Sequence, residues 1–372
     1  MSSSHPHPPA AASAVPARQF SLEDARAVYA LAEEDSRLGR KVKEALEITD
    51  RALDEYGLEQ VALSFNGGKD CTVLIHLLCA SFLHHLSPSS FSPSLSSPSP
   101  SSSSSSAPRL PPIPTIYIRT PSPFPQVEAF VSLCVEWYNL DLEAREGGMK
   151  EVLQGYLDAR PAQSEGEGER KGGSRVKAVF VGVRRNDPHG ATLTPLCPTD
   201  PSWPAFMRVH PILDWSYSDV WAFLRSPALT LGAGAGGDAA TEGSQGKGRE
   251  KERRGLEWCE LYDYGYTSLG STHNTFPNPL LRATTSDGHY DAPNGHTAAP
   301  LGGWRPAWEL LDEGAERAGR ETSLNAVIAR TPSPSAAKRE QNASSAATKP
   351  AAGTDSGRAS EMGRRADEGE VA

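Results

Sequence analysis

The 372-residue sequence has no run of 18 apolar residues, so no stretch of it reads as a membrane-spanning helix. It has no excess of positive charge. Its 37 Lys and Arg stand against 46 Asp and Glu, a net charge of −9, which leaves no basic footprint for nucleic acid. Cysteine is scarce and scattered: Cys71, Cys79, Cys134, Cys197 and Cys259 include no CxxC pair, which argues against a zinc ribbon, a redox pair or a disulfide framework. The opening MSSSHPHPPAAASAVPARQF lacks an apolar core and carries Arg18 as its one Lys or Arg, so neither a secretory signal nor a typical mitochondrial leader fits. The expectation is a cytoplasmic protein with no membrane or nucleic-acid partner.

Apolar residues are also sparse over long intervals. Residues 87–112 are Ser/Pro-rich, 161–174 Glu/Gly-rich and 228–254 Gly-rich, and with 1–18 and 326–372 they read as disordered. Some 230 residues remain, by the usual scaling enough for about one α/β domain. One domain over 19–325, interrupted by surface insertions, is therefore expected, because long loops add little closure entropy.

What is present centres on LSFNGGKDCTVLIHLL. An apolar run, Val61 to Phe65, reads as a strand, and Val73, Leu74, Leu77 and Leu78 recur at helical spacing. Between them Gly67 and Gly68 permit a sharp turn, and a helix starting near Lys69 adds its positive dipole end and a full charge. The junction suits a phosphate, although a strand-to-helix turn capped by glycine would have the same residues. It is not a P-loop: Leu63 stands where that pattern has its first glycine, and Asp70 where it has Ser or Thr.

Strand and helix patterns alternate along the chain. A helix is expected over about 22–56, with Ser21 and Asp24 as a capping pair. Strands are expected at IPTIYI, VKAVFVGV and RVHPILDW, and helices over 69–85, over 124–140, and at MKEVLQGYLDAR. This predicts a doubly wound, mostly parallel sheet with helices on both faces and ligands at the carboxyl ends of the strands. Past the strand AVFVGV, Arg184, Arg185, Asn186 and Asp187 form either a phosphate clamp or a solvated basic turn. Trp203, Phe206 and Arg208 fall on a stretch broken by Pro201 and Pro204 and so read as loop. Ser216 and Asp219 fit a helix cap better than a catalytic pair. The GxGxxG string Gly232, Gly234, Gly237 lies in a low-complexity insertion and reads as a decoy. His210 and His273 have no partners at metal spacing. Trp304, Trp308, Arg317 and Arg320 lie either on an aromatic wall with arginines for a planar, phosphorylated ligand, or on an amphipathic helix docked by its tryptophans.

Taken together, SFNGGKDCTVLIHLL, YIRTPSPFPQVEAFV, GVRRNDPHG, PTDPSWPAFMRVHPILDWSYSDVWAFLR, LYDYGYTSLGSTHNT and NPLLR resemble the eukaryotic FAD synthase (FMN adenylyltransferase) family, in the fold group of the PAPS reductases and N-type ATP pyrophosphatases. The chain is similar to the single-domain fungal form, without the molybdopterin-binding-type domain that precedes this one in animal forms. The resemblance implies Mg²⁺-dependent conversion of ATP and FMN to FAD and pyrophosphate, the last step of FAD biosynthesis. It places Ser64, Asn66, Gly67, Gly68, Lys69 and Gly182 around ATP, and Tyr117, Ile118 and Arg119 against the adenine. Arg184, Asp187, Asp70 and Lys69 become the catalytic set, with the metal held mainly by substrate phosphates and by Asp70. Asp187, Arg208, Trp304 or Trp308, Arg317 and Arg320 fall to FMN. A monomer that hands FAD to apo-flavoproteins is the implied mode of action. Three alternatives remain. A PAPS reductase needs a redox cysteine in a C-terminal tail, but the last cysteine is Cys259. A tRNA-modifying pyrophosphatase needs a basic face and CxxC pairs. A flavin-binding scaffold that keeps the fold but has lost turnover is the third, and intact Asn66 to Asp70, Arg184 and Asp187 count against it.

Overall fold

The structure, a computed structural model, describes residues 19–91, 108–161, 175–229, 255–283 and 303–320. The glycine string at 232–237 lies outside them, as do both termini and most of the three low-complexity intervals.

Six strands form one sheet: β1 (Val61–Ser64), β2 (Ile113–Arg119), β3 (Leu140–Glu146), β4 (Ala178–Val181), β5 (Leu196–Pro198) and β6 (Met207–Val209). The order is β3-β2-β1-β4-β6-β5, and every pairing is parallel except β5 with β6. Helices α1 (Leu22–Ala32), α2 (Arg37–Tyr56), α3 (Lys69–Leu86), α4 (Pro125–Trp137), α5 (Met149–Asp158) and α6 (Tyr217–Leu224) complete the regular structure. Alternate strand residues face opposite layers, as the pleat requires. Val61, Leu63, Ala178 and Phe180 join the large core with α1 to α4 and α6, whereas Ala62, Ile116 and Val179 join a smaller core beneath α5. Since β1 pairs with β2 on one side and β4 on the other, the chain reverses its winding there. The carboxyl ends of β1 and β4 therefore flank the crevice where such sheets take ligands.

Several boundaries differ from the sequence reading. The single helix expected over 22–56 is two helices. Ser21 and Asp24 form a capping box at the first, and Ser36 starts the second by accepting the Gly39 N–H at 2.9 Å. The helix expected to reach Leu140 stops at Trp137. Asn139, at φ 51°, then turns the chain left-handed into β3, which the sequence reading did not contain. β3 is an edge strand whose Glu143 pairs with Arg145 and Arg160, and charge on an edge discourages edge-to-edge association. The ends of interval 87–112 are folded. Pro88–Phe91 is a 3₁₀ turn whose Phe91 ring meets His84 at 5.0 Å and Tyr29 at 5.1 Å, and Leu110 is buried. Leu229, within the Gly-rich interval, is also buried. Ser216 and Asp219 form the expected cap of α6, and Arg37 adds a bidentate pair with Asp219 at 2.7 and 3.0 Å.

The described residues of 255–320 form a C-terminal strap with no α-helix and only short 3₁₀ turns. Two isolated bridges, Thr275 with Arg320 and Arg282 with Trp304, tie it to itself. It docks on α6 through Trp258 and Trp308, whose rings lie 5.5 and 5.6 Å from Trp221 and 5.3 Å from each other. Thr272 also donates through both N–H and hydroxyl to the Ser122 carbonyl, in the loop between β2 and α4.

Candidate functional site

After β1 the chain passes Phe65 and Asn66 into the turn that opens α3. Gly67 sits at φ +72°, and a Cβ there would stand 3.0 Å from the Val131 side chain on α4, so the left-handed turn beneath α4 requires glycine. Asn66 Oδ1 accepts the Gly68 N–H at 2.9 Å, and the Tyr262 hydroxyl accepts the Lys69 N–H at 2.9 Å. Two of the junction's backbone donors are thus engaged by side chains, one of them from the strap.

After β4 the geometry is equally tight. A Cβ on Gly182 would lie 3.0 Å from Cys71 Sγ and 3.1 Å from Cys71 N, so glycine lets the strand end press against the first turn of α3. Asp187 closes the next turn, accepting the Arg184 N–H at 2.8 Å and donating its own N–H to the Arg184 carbonyl at 3.0 Å. The two arginines part company there. Arg185 points to Asp214 at 2.5 Å and to the carbonyls of Ala191 and Leu193, whereas Arg184 is 1% exposed and points at α3.

The two junctions meet in one cluster. Lys69 Nζ, 2% exposed, lies 3.0 Å from Asp70 Oδ2 and also contacts Glu316. Arg184 Nη2 donates to both Glu316 oxygens at 2.7 and 2.6 Å and stands 3.6 Å from Asp187 Oδ1. Arg184 Nε stands 2.7 Å from Asp70 Oδ1 without the alignment of a hydrogen bond, so that contact is coulombic. Tyr217 supplies an aromatic face 5.2 Å from Lys69 Nζ. Burial alone would discharge these groups. For Lys69 and Arg184 it pulls the pKa down, but the carboxylates of Asp70 and Glu316 outweigh it and hold both cations charged, above their ordinary values. For Asp70, burial pushes up and is outweighed by Lys69 and Arg184, which hold the carboxyl below the usual range. Asp187 goes the other way: burial raises it, and the neighbouring Asp70 and Glu316 charges add to the rise.

The remaining expected residues separate into those at the site and those spent elsewhere. Ser64 ends β1, and Tyr117, Ile118 and Arg119 continue β2 past it. The Tyr117 hydroxyl donates to Glu128 at 2.6 Å and Arg119 pairs with the same carboxylate at 2.8 Å, so neither side chain is free. Arg208 lies not on a loop but on β6, at the start of the strand expected at RVHPILDW, which ends already at Val209, and it donates to the Pro198 carbonyl at 2.9 Å, across the sheet edge. Trp203 and Phe206 pack against the smaller core, which makes them wall. Trp308 belongs to the Trp221–Trp258 cluster and carries Arg225 at 4.9 Å over its ring, while Trp304 packs against Gly265. Arg317 and Arg320 lie near each other with no carboxylate on either among the described residues. Burial and Arg317 lower the pKa of Arg320, the state of a cation short of an anion. His210 and His273 bond to the Thr194 carbonyl and the Ser122 hydroxyl. Among the described residues, Asp50, His84 and His85 stand at metal-ligand spacing, but near the other end of α3, about 24 Å away by helix rise. There His85 already faces the Ser81 carbonyl and Asp54.

The sequence reading missed Glu316 and the strap residues that set it. Thr267 donates to the Glu316 carbonyl at 2.5 Å. The fully buried Asn278 donates to Thr267 Oγ1 at 3.0 Å and to the Ala315 carbonyl at 2.9 Å. The available signal was the acidic residue beside Arg317 in EGAERAGR, one of many charges in a segment without periodicity.

Comparison with known proteins bears on this geometry. Residues 60–231 match the family described as the phosphoadenosine phosphosulfate reductase domain. The chain is 30% identical over 287 residues to a probable FAD synthase of Schizosaccharomyces pombe, covering 77% of this chain and 81% of that protein. It is 31% identical to a probable FAD synthase of Caenorhabditis elegans, of which it spans 40%. The fold also matches the crystal structure of Candida glabrata FMN adenylyltransferase in complex with FMN and the ATP analogue AMPCPP. That match has a TM-score of 0.54 at 23% identity and covers 82% of this chain and 98% of that one.

Proposed function

The chain belongs to the FAD synthase family, and from that membership we infer that it is an FMN adenylyltransferase, moving AMP from ATP to the 5′-phosphate of FMN to give FAD and pyrophosphate. The observation that carries the residue assignments is the pair of buried cations, Lys69 and Arg184, held charged where the ends of β1 and β4 meet.

The reaction forms a bond between an FMN phosphate oxygen and the α-phosphorus of ATP and breaks the bond from that phosphorus to the bridging oxygen of pyrophosphate. The attacking group is already an anion, so no serine, cysteine or histidine has to be activated. The work is alignment of two polyanions and screening of the charge that builds on the leaving group. Lys69, Arg184 and the dipole of α3 supply fixed positive potential on the pyrophosphate side. Gly67 and Gly182 bring backbone within reach of it. The ends of β1 and β2, Ser64 and Tyr117 to Arg119, offer backbone for the adenine. Arg317 and Arg320, cations with no carboxylate on them among the described residues, suit the FMN phosphate, with Trp304, which packs against Gly265 rather than in the Trp221–Trp258–Trp308 cluster, as the aromatic candidate for the flavin.

Asp70 Oδ1 is buried with no aligned hydrogen bond, and Asp187, about a quarter exposed, stands near it, a hard oxygen set of the kind that suits Mg²⁺. Mg²⁺ would be held by these two carboxylates together with substrate phosphates, and it would neutralise phosphate charge. The same reading makes the domain a cytoplasmic monomer over 19–325 that takes small molecules and passes FAD to apo-flavoproteins. A net charge of −9 and the absence of a membrane-length apolar helix among the described residues agree with it.

The test is incubation with FMN, ATP and Mg²⁺, following FAD and pyrophosphate in parallel. Stoichiometric formation of both is expected, with a loss of about 10²- to 10³-fold in kcat for Lys69→Ala, the range for one preorganised charge donor. Folded protein that binds flavin and makes no FAD would leave a binding module instead.

A further inference from the structure

Of the three carboxylates around Lys69 and Arg184, two are local. Asp70 follows Lys69 in the chain, and Asp187 closes the turn that Arg184 opens. Glu316 comes from the strap, 247 residues from Lys69 and 132 from Arg184, yet it alone of the three carboxylates accepts side-chain hydrogen bonds from both cations, with both of its oxygens on Arg184 Nη2 and one on Lys69. One oxyanion sharing an ammonium and a guanidinium is also the arrangement a phosphate group would adopt there. Its backbone is fixed by Thr267 and Asn278, so the carboxylate is delivered to the cations rather than straying to them. Its side chain keeps 13% exposure, more than the 2% and 1% of the two cations and less than the 19% of Asp70 and 26% of Asp187, so solvent reaches it where it meets them.

Resting on the adenylyltransferase reading, we propose that Glu316 is an internal competitor for the phosphate-binding cations, a positioning residue that holds Lys69 and Arg184 when no phosphate is on them and favours the departure of pyrophosphate. The physical need is plain. Two buried cations stripped of a counter-anion are costly, so a site that must bind and then release a polyanion works better if a tethered anion takes its place. Binding then becomes an exchange of one anion for another, and pyrophosphate leaves against the return of Glu316.

The sign of this effect separates it from a structural role. Glu316→Gln keeps the shape and removes one negative charge next to two cations. The full-length variant should bind inorganic pyrophosphate, in the presence of Mg²⁺, about tenfold more tightly than wild type in calorimetric titration. Inhibition of the forward reaction by pyrophosphate should become stronger, and kcat should fall as release slows. Glu316→Asp, which keeps the charge, should restore affinity toward the wild-type value. Unchanged or weaker pyrophosphate binding by folded Glu316→Gln overturns the proposal. So does an aspartate variant that binds as tightly as the glutamine one. Should Glu316→Gln fail to fold, the aspartate variant decides alone: its shorter reach leaves the cations less well covered, and binding weaker than wild type would overturn the idea. Titration with pyrophosphate does not depend on FMN chemistry, so wild type that makes no FAD would sink the adenylyltransferase reading and leave this comparison standing.

Discussion

The turn that opens α3 and the strap that closes over it reach the same buried charge cluster by opposite means. At the turn, position follows from regular structure: β1 aims the chain, Gly67 permits the left-handed step, and α3 fixes Lys69 and Asp70 in its first turn. The strap has no such ladder. Glu316 is placed by a buried amide and a hydroxyl, Asn278 and Thr267, and by tryptophans resting on α6. A regular element spreads its positioning over many equivalent hydrogen bonds, whereas the strap concentrates it in a few side chains. Single substitutions should therefore harm the strap out of proportion to their size.

Asn278→Ala is the most severe way to sharpen that contrast. It strips partners from Thr267 and the Ala315 carbonyl in a fully buried place and should cost about 2–3 kcal/mol in denaturant unfolding. It should raise KM for FMN more than KM for ATP. Equal changes in the two would break the division between the halves.

Acid probes the α3 half. His76 is buried on α3 against the Tyr138 hydroxyl at 3.1 Å, and burial pushes its pKa down from 6.5 to about 3. The folded protein refuses a proton that the unfolded chain accepts below pH 6.5. Stability should therefore fall as pH drops from about 6.5 toward 3, by at most about 1.4 kcal/mol per pH unit from this group. His76→Gln should flatten that part of the curve, measured by urea midpoints at a series of pH values.

The smallest effect belongs to the Ser/Pro interval. Replacing residues 92–107 by a glycine-serine linker of equal length should leave unfolding energy within about 0.5 kcal/mol and turnover unchanged. Removing all of 87–112 also takes Phe91 and Leu110 from their packing and should cost several times more. A large loss from the shorter replacement would mean that the composition of that interval misled.

The same contrast explains what could be read in advance. β1, the glycine turn, α3 and the buried stripe of α4 announced themselves by periodicity and by two adjacent glycines, and Arg184 and Asp187 by their place after an apolar strand. β3 did not, although Leu140, Leu142 and Ala144 alternate with Asp141, Glu143 and Arg145, because the run follows α4 after two residues and four of its seven residues are charged. The break between α1 and α2 hid because Glu33 and Glu34 favour helix and only Asp35 and Ser36, which caps a new start, do not. Arg208 stands where a proline-broken stretch and the expected strand RVHPILDW overlap, and β6 takes it into a strand of only three residues. Glu316 was invisible because nothing local marks it: its meaning comes from two cations far away in sequence. Trp308 looked like Trp304, and only packing shows that one belongs to the tryptophan cluster on α6 while the other rests on Gly265.

The indoles of Trp221, Trp258 and Trp308 meet at steep angles at the seam between α6 and the strap. Aromatic groups locked in asymmetric contact give near-ultraviolet circular dichroism, which vanishes when packing loosens while far-ultraviolet signals persist. The protein thus carries its own optical gauge of whether the strap is seated, readable without a label while nucleotide is added.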